Sequence, residues 1–224
     1  MEPDNPLLDQ YVLQTAHKAN PTVCFLPTAS GDSDNYIARF YTAFSKLPCR
    51  PRHLSLFCQP ADLGAFVAEC DVIYVGGGNT RNMLAIWRAC QLDTILHRAW
   101  ENGVVLCGVS AGAICWFEHG HTDSGGPQAP LAPLVCLGFL PGSCTPHYDG
   151  ELKRRSSFHS LIQQGVLPAG YALDDGTALH FIGDDLAHIV TSRPHARAFR
   201  VRCESSNVVE EQLQTRFLKT TNDA

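Results

Sequence analysis

The sequence predicts an α/β fold: a doubly wound, mostly parallel sheet with helices on both faces, followed by antiparallel strands. Three observations carry this. Short apolar runs alternate with helical patterns through the first two-thirds of the chain. Alternation of that kind implies βαβ units and a parallel sheet. From Gly170 to about Val209 the pattern instead alternates in strand fashion between turn signals at Gly176, Gly183-Asp184-Asp185 and Pro194, as antiparallel strands do.

The elements follow in order. Leu7 to Lys18 reads as a helix and Thr22 to Pro27 as a buried strand. Asp34 to Leu47 carries Tyr36, Ile37, Phe40, Tyr41 and Phe44 at helical spacing. A short strand is expected at His53 to Phe57, a helix at Ala61 to Cys70 and a strand at Asp71 to Val75. Asn79 to Cys90 and Asp93 to Asn102 are helical and lead to an apolar strand beginning at Val104. After Trp116 the Gly- and Pro-rich stretch Gly120 to Pro133 reads as loop. The chain then runs through Leu134 to Tyr148 before a helix at Glu151 to Gln164. The chain opens into a helix where a doubly wound domain usually opens with a strand. One domain is expected over residues 1–218, with a disordered tail at 219–224.

Composition narrows the class. Hydrophobic residues make up 45% and charged residues 17% of the 224, an ordinary globular balance. A net charge of −5 and a pI near 6.0 leave no basic footprint for nucleic acid. No apolar run reaches the roughly eighteen residues that would cross a bilayer, and the acidic start lacks the layout of a signal peptide. The ten cysteines are scattered without a Cys-x-x-Cys pair. Cys24, Cys107 and Cys115 fall inside apolar patterns, where a free thiol packs as a small hydrophobe. A reduced, cytoplasmic protein is expected.

The chemistry points to Gly108-Val109-Ser110-Ala111-Gly112-Ala113 at the end of the Val104 strand. A strand, a tight turn and a helix with serine at the apex is the layout of a nucleophile elbow. The glycines are needed where strand and helix nearly touch, and the helix start places the Ala111 N–H near the serine hydroxyl. The bland alternative is a glycine-bracketed turn with a solvated serine. A serine nucleophile needs a base and an orienting acid. His147, in Pro146-His147-Tyr148-Asp149-Gly150 at an expected strand end, is the candidate base. Asp175 is the first choice for the acid, Asp123 its rival, and Asp174 a neighbour able to replace it. Acids in such turns more often close an Asx-turn. Gly76-Gly77-Gly78-Asn79-Thr80 follows another strand. Three glycines let the backbone approach a substrate and turn an N–H toward an oxyanion, while Asn79 or Thr80 could simply cap the next helix. The lysine of a phosphate loop is absent. His119, His121 and Asp123 lack a further ligand at metal spacing. The reading therefore calls for no cofactor and no metal.

With these motifs in this order, the chain resembles the peptidase E and cyanophycinase family of serine peptidases, over residue 7 to about 202. The resemblance implies a fold similar to class I glutamine amidotransferases, a serine nucleophile at Ser110, a base at His147, and an oxyanion hole from Gly77 or Gly78 with Ala111. It implies a small peptide substrate, since peptidase E releases N-terminal aspartate from dipeptides, and by analogy a homodimer. An arginine after the histidine motif helps to hold that aspartate in the family. Arg154 or Arg155 falls near that place, with Asn79 and Thr80 as further substrate-binding candidates, although Lys153-Arg154-Arg155 also reads as a solvated helix face. Where peptidase E members have Leu-Pro-Glu-Gly, this chain has Leu173-Asp174-Asp175-Gly176, one methylene shorter at the acid. The segment from His147 to the arginines is also shorter, and the family's opening glycine-rich strand end is absent. The alternatives are a cyanophycinase-like hydrolase of β-aspartyl-arginine links, an α/β-hydrolase esterase, and a peptide-binding domain without turnover. An amidotransferase would carry cysteine at the elbow.

Overall fold

Thr22–Leu26 forms β1, a strand with every side chain buried, as apolar residues pointing both ways require of a strand covered on both faces. The computed structural model describes all residues except Pro3, 58–61, Pro127 and 220–224. It divides into two units, Met1–Ala113 and Ile114–Ala224.

The first unit is an α/β layer structure. Its helices are α1 (Leu7–Thr15), α2 (Asp34–Phe44), α3 (Leu63–Ala68), α4 (Thr80–Ala89), α5 (Leu92–Glu101) and the start of α6 (Ala111–Ile114). Its remaining strands are β2 (Arg50–His53), β3 (Val72–Val75) and β4 (Val105–Gly108). The sheet order is β2-β1-β3-β4, with every pair parallel. On one face Val23 and Phe25 of β1 and Val72 and Tyr74 of β3 pack against Leu13 of α1 and Phe40 and Phe44 of α2. Phe25 stacks on Phe40 with centroids 4.8 Å apart, and Phe40 on Phe44 at 4.6 Å. Each of these fully buried phenylalanines contributes roughly 1.5–3 kcal/mol. On the other face Cys24 meets Cys70, just beyond α3, and α5 packs on both α3 and α4. Helices thus cover both faces of a parallel sheet.

The second unit holds β5 (Phe117–Thr122), β6 (Ala132–Val135), β7 (Leu140–Thr145), α7 (Arg154–Gln163), β8 (Gly170–Leu173), β9 (Thr177–Ile182), β10 (Asp185–Thr191), β11 (Ala198–Glu204), β12 (Asn207–Leu213) and β13 (Arg216–Phe217). A six-stranded sheet runs β12-β11-β8-β7-β5-β6 and a three-stranded one β13-β10-β9. The central pairs β5·β7 and β7·β8 are parallel, while β8·β11 and β11·β12 are antiparallel. Phe158 and Ile162 of α7 pack with Tyr148, Ala172, Phe199 and Val201.

Two element assignments need correction. The second strand is Arg50–His53, ahead of the expected His53–Phe57. Leu54 and Leu56 are buried in a loop, and the strand proper is a polar edge that tolerates Pro51. Gly120 to Thr122, read as the start of a loop, completes β5, because pairing with β7 and β6 outweighs weak local propensity. Helix ends are otherwise trimmed by a few residues. Ala61, the expected start of α3, lies outside the described residues, as does the expected disordered tail apart from Lys219.

Candidate active site

In the first unit the parallel register Val75↔Gly108 sets the carboxyl ends of β3 and β4 side by side. Both chains then turn sharply. A Cβ on Gly108 would stand 2.4 Å from the Gly112 carbonyl oxygen, and one on Gly112 would stand 2.3 Å from that of Val75. Those distances explain the glycine brackets. Between them Ser110 adopts φ +54°, the left-handed region that a residue with a Cβ enters only at a cost of about 1 kcal/mol or more. Gly77 lies directly against this serine. A Cβ there would be 3.2 Å from Ser110 Cβ and 3.7 Å from Oγ.

The amides of the triple-glycine turn have distinct fates. Gly76 N–H donates to the Leu26 carbonyl and Asn79 N–H to that of Ala29. Gly77 N–H, an oxyanion candidate, donates to the Tyr36 hydroxyl at 3.2 Å. The Gly78 and Ala111 N–H groups have no partner among the described residues. Gly78 has φ +138°, and a Cβ on it would strike the Ala29 carbonyl oxygen at 2.2 Å. Asn79 caps α4, its Oδ1 accepting from Asn82 N–H at 2.9 Å, and Thr80 is the buried first residue of that helix.

In the second unit His147 follows β7 and Asp175 follows β8. His147 also lies at positive φ, +55°. Its Nδ1 is 2.7 Å from Asp175 Oδ1. A carboxylate oxygen accepts, which makes Nδ1–H the donor in this pairing. Two more hydrogen bonds tie these turns together: Tyr148 N–H to the Leu173 carbonyl at 3.0 Å, and Asp175 N–H to Asp149 Oδ1 at 2.9 Å. Behind His147, the Tyr148 hydroxyl donates to Glu210, which also meets His159 and Arg155. Burial pushes the Tyr148 hydroxyl far up. Burial would raise Glu210 too, but Tyr148, His159 and Arg155 hold it below the usual carboxylate range.

The other candidates lie elsewhere. Asp174 is buried, its Oδ2 taking both the backbone N–H and Nε of Arg197. Asp123 is exposed, and its carbonyl closes a turn by accepting Gly126 N–H. Arg154, a substrate-binding candidate whose alternative reading was a solvated helix face, is buried. Its guanidinium donates to Glu151 and to the His121 carbonyl. Arg155 is exposed and paired with Glu210. His121 is fully buried, with both ring nitrogens engaged by the hydroxyls of Thr145 and Ser157. Sequence reasoning missed Tyr36, Asp149 and Glu210. Asp149 was visible two residues from His147, whereas nothing local marked the other two.

A strained, glycine-bracketed serine with Gly77 against its side chain, on a parallel α/β sheet, is the equipment of a serine hydrolase. A sequence model of Peptidase family S51 matches residues 1–189. The chain belongs to this family of serine peptidases and is a peptidase of the peptidase E type. It is 58% identical to YgaJ, an uncharacterized peptidase of Bacillus subtilis, over 97% of this chain and 94% of that one. It is 26% identical to Peptidase E of Streptomyces coelicolor over 81% and 76% of the two chains. The crystal structure of a peptidase from an acI-B1 actinobacterium shares the fold, with TM-score 0.67 at 19% identity over 93% of this chain and 87% of that one. Among the described residues no helix is long and apolar enough to cross a membrane.

Proposed function

We propose that the chain hydrolyses short peptides, Asp-Xaa dipeptides among them, through a covalent acyl-enzyme on Ser110. His147 takes the hydroxyl proton as Oγ attacks the scissile carbonyl, and Asp175 orients the imidazole and stabilises its charged form. The Gly78 and Ala111 N–H groups receive the oxyanion. Collapse of the tetrahedral intermediate expels the amine, which collects the proton from His147, and water then releases the acid by the same steps reversed. The observation that carries this reading is the Ser110 turn: φ +54°, Gly77 against the side chain, and two amides with no other partner among the described residues. The pairing of His147 with Asp175 supports the base and acid. It gives the chain order serine, histidine, acid, unlike the serine, acid, histidine order of an α/β-hydrolase esterase. A reducing, cytoplasmic setting fits the nine described cysteines, all of which are free.

The test is a panel of Asp-Xaa, Glu-Xaa, Ala-Xaa and β-aspartyl-Arg dipeptides given to the wild type and to Ser110→Ala. Hydrolysis of Asp-Xaa that disappears in the folded variant is expected. Turnover surviving in Ser110→Ala would remove the nucleophile, and a preference for β-aspartyl-Arg would move the substrate to the cyanophycinase class.

A further inference from the structure

Tyr36 lies in the first turn of α2, apart from every motif that marked the site in the sequence. Its ring stands edge-on to Phe25 with centroids 5.0 Å apart at 71°, and Arg39 sits 5.7 Å from its centroid. The ring presses on the glycine turn as well, since a Cβ on Gly76 would be 3.0 Å from it. These contacts fix the hydroxyl where it accepts the Gly77 N–H at 3.2 Å. Gly77 in turn borders Ser110.

We propose that Tyr36 is a positioning residue: its hydroxyl holds the triple-glycine turn so that the Gly78 N–H stays directed at the oxyanion formed at Ser110. This rests on the reading of Ser110 as nucleophile. Three consecutive glycines have more backbone freedom than any other tripeptide, whereas an oxyanion hole works by being organised before the charge appears. The turn is tethered at Gly76 by the Leu26 carbonyl, at Asn79 by the Ala29 carbonyl and at Gly77 by Tyr36. Of these three tethers only the last is a side chain, and it acts on the residue next to Gly78. Without it the Gly76–Gly77 peptide can rotate, taking the Gly78 amide with it.

Tyr36→Phe keeps the ring and its contacts with Phe25 and Arg39 and deletes only the acceptor. The probe is an alkyl fluorophosphonate applied to the full chain. Ser110 Oγ bonds to phosphorus, the P–F bond breaks, fluoride leaves and the hydroxyl proton passes to His147. The five-coordinate phosphorus bears an oxyanion, so the maximal labelling rate reads the hole while the half-saturating concentration reads reversible binding. In Tyr36→Phe the maximal rate should fall by about tenfold or more, with half-saturation unchanged within about twofold. Amide hydrogen exchange at Gly77, whose N–H loses its acceptor, should quicken while that of β3 does not. An unchanged maximal rate overturns the proposal, and so does slower labelling without faster exchange. A wild type that takes no label at Ser110 removes the nucleophile reading itself, whereas a labelled wild type with an indifferent Tyr36→Phe removes Tyr36 alone.

Discussion

At the scale of single residues, backbone strain falls on both residues on which the proposed chemistry turns. Seven described non-glycine residues have positive φ, and Ser110 and His147 are among them. Strain of this kind persists only where surrounding contacts over-determine it. For His147 those contacts are visible: Asp175 on its ring, Tyr148 N–H on Leu173 and Asp149 on the Asp175 amide. The three acids therefore make different predictions. Asp175→Asn keeps the shape but loses the carboxylate that fixes the tautomer, and kcat should drop by about 10⁴-fold. Asp123→Asn should leave kcat near wild type, because that side chain is exposed on a turn. Asp174→Asn should act on stability, because it loosens a buried carboxylate from Arg197. Steady-state kinetics and melting curves on the three variants check this, and equal kcat losses in Asp175→Asn and Asp123→Asn would defeat the assignment of the acid.

At the scale of elements, what was legible depended on whether local pattern and tertiary demand agreed. The β4–α6 turn could be read because Gly108 and Gly112 are dictated by close approach of backbone, which leaves no other residue type. Gly112 is the sharper case, with the Val75 carbonyl 2.3 Å from any added Cβ. Gly112→Ala should cost about 1–3 kcal/mol or more by overpacking, read as a lowered melting temperature. A variant melting with the wild type would show that strand and helix are not so close. β5 was half legible. Phe117 begins it, but Glu118, His119, Gly120 and His121 carry little strand propensity. Its order comes from partners on both sides, and strand partners are not written locally. Apolar character misled at Leu54 and Leu56, which are buried without being strand. Tyr36 was read only as one aromatic in a helical stripe, since its hydroxyl contact spans 41 residues of sequence.

At the scale of the whole molecule, buried polar groups set the response to acid. His121 sits fully buried on β5 between Thr145 and Ser157. Burial first, and the nearby Arg154 charge second, push its pKa down from 6.5 to about 4. Below pH 6.5 the unfolded chain takes up a proton that the folded chain refuses, so stability falls as pH drops from about 6.5 to about 4. The loss from this one residue is on the order of 3 kcal/mol. Glu210 adds to it lower down: its carboxylate is held below the usual value, so its contribution is full above the unfolded pKa and drains as pH falls through the folded one. Asp9 in the first unit has the opposite sign, because burial raises its pKa and the folded form binds its proton more readily. Urea unfolding between pH 7.5 and 4.5 separates these effects. His121→Gln can still reach hydroxyl partners but does not titrate, so it should start less stable at pH 7.5 and then lose less than the wild type between pH 6.5 and 4.5. Parallel losses in the two proteins would mean that acid enters the fold somewhere other than His121.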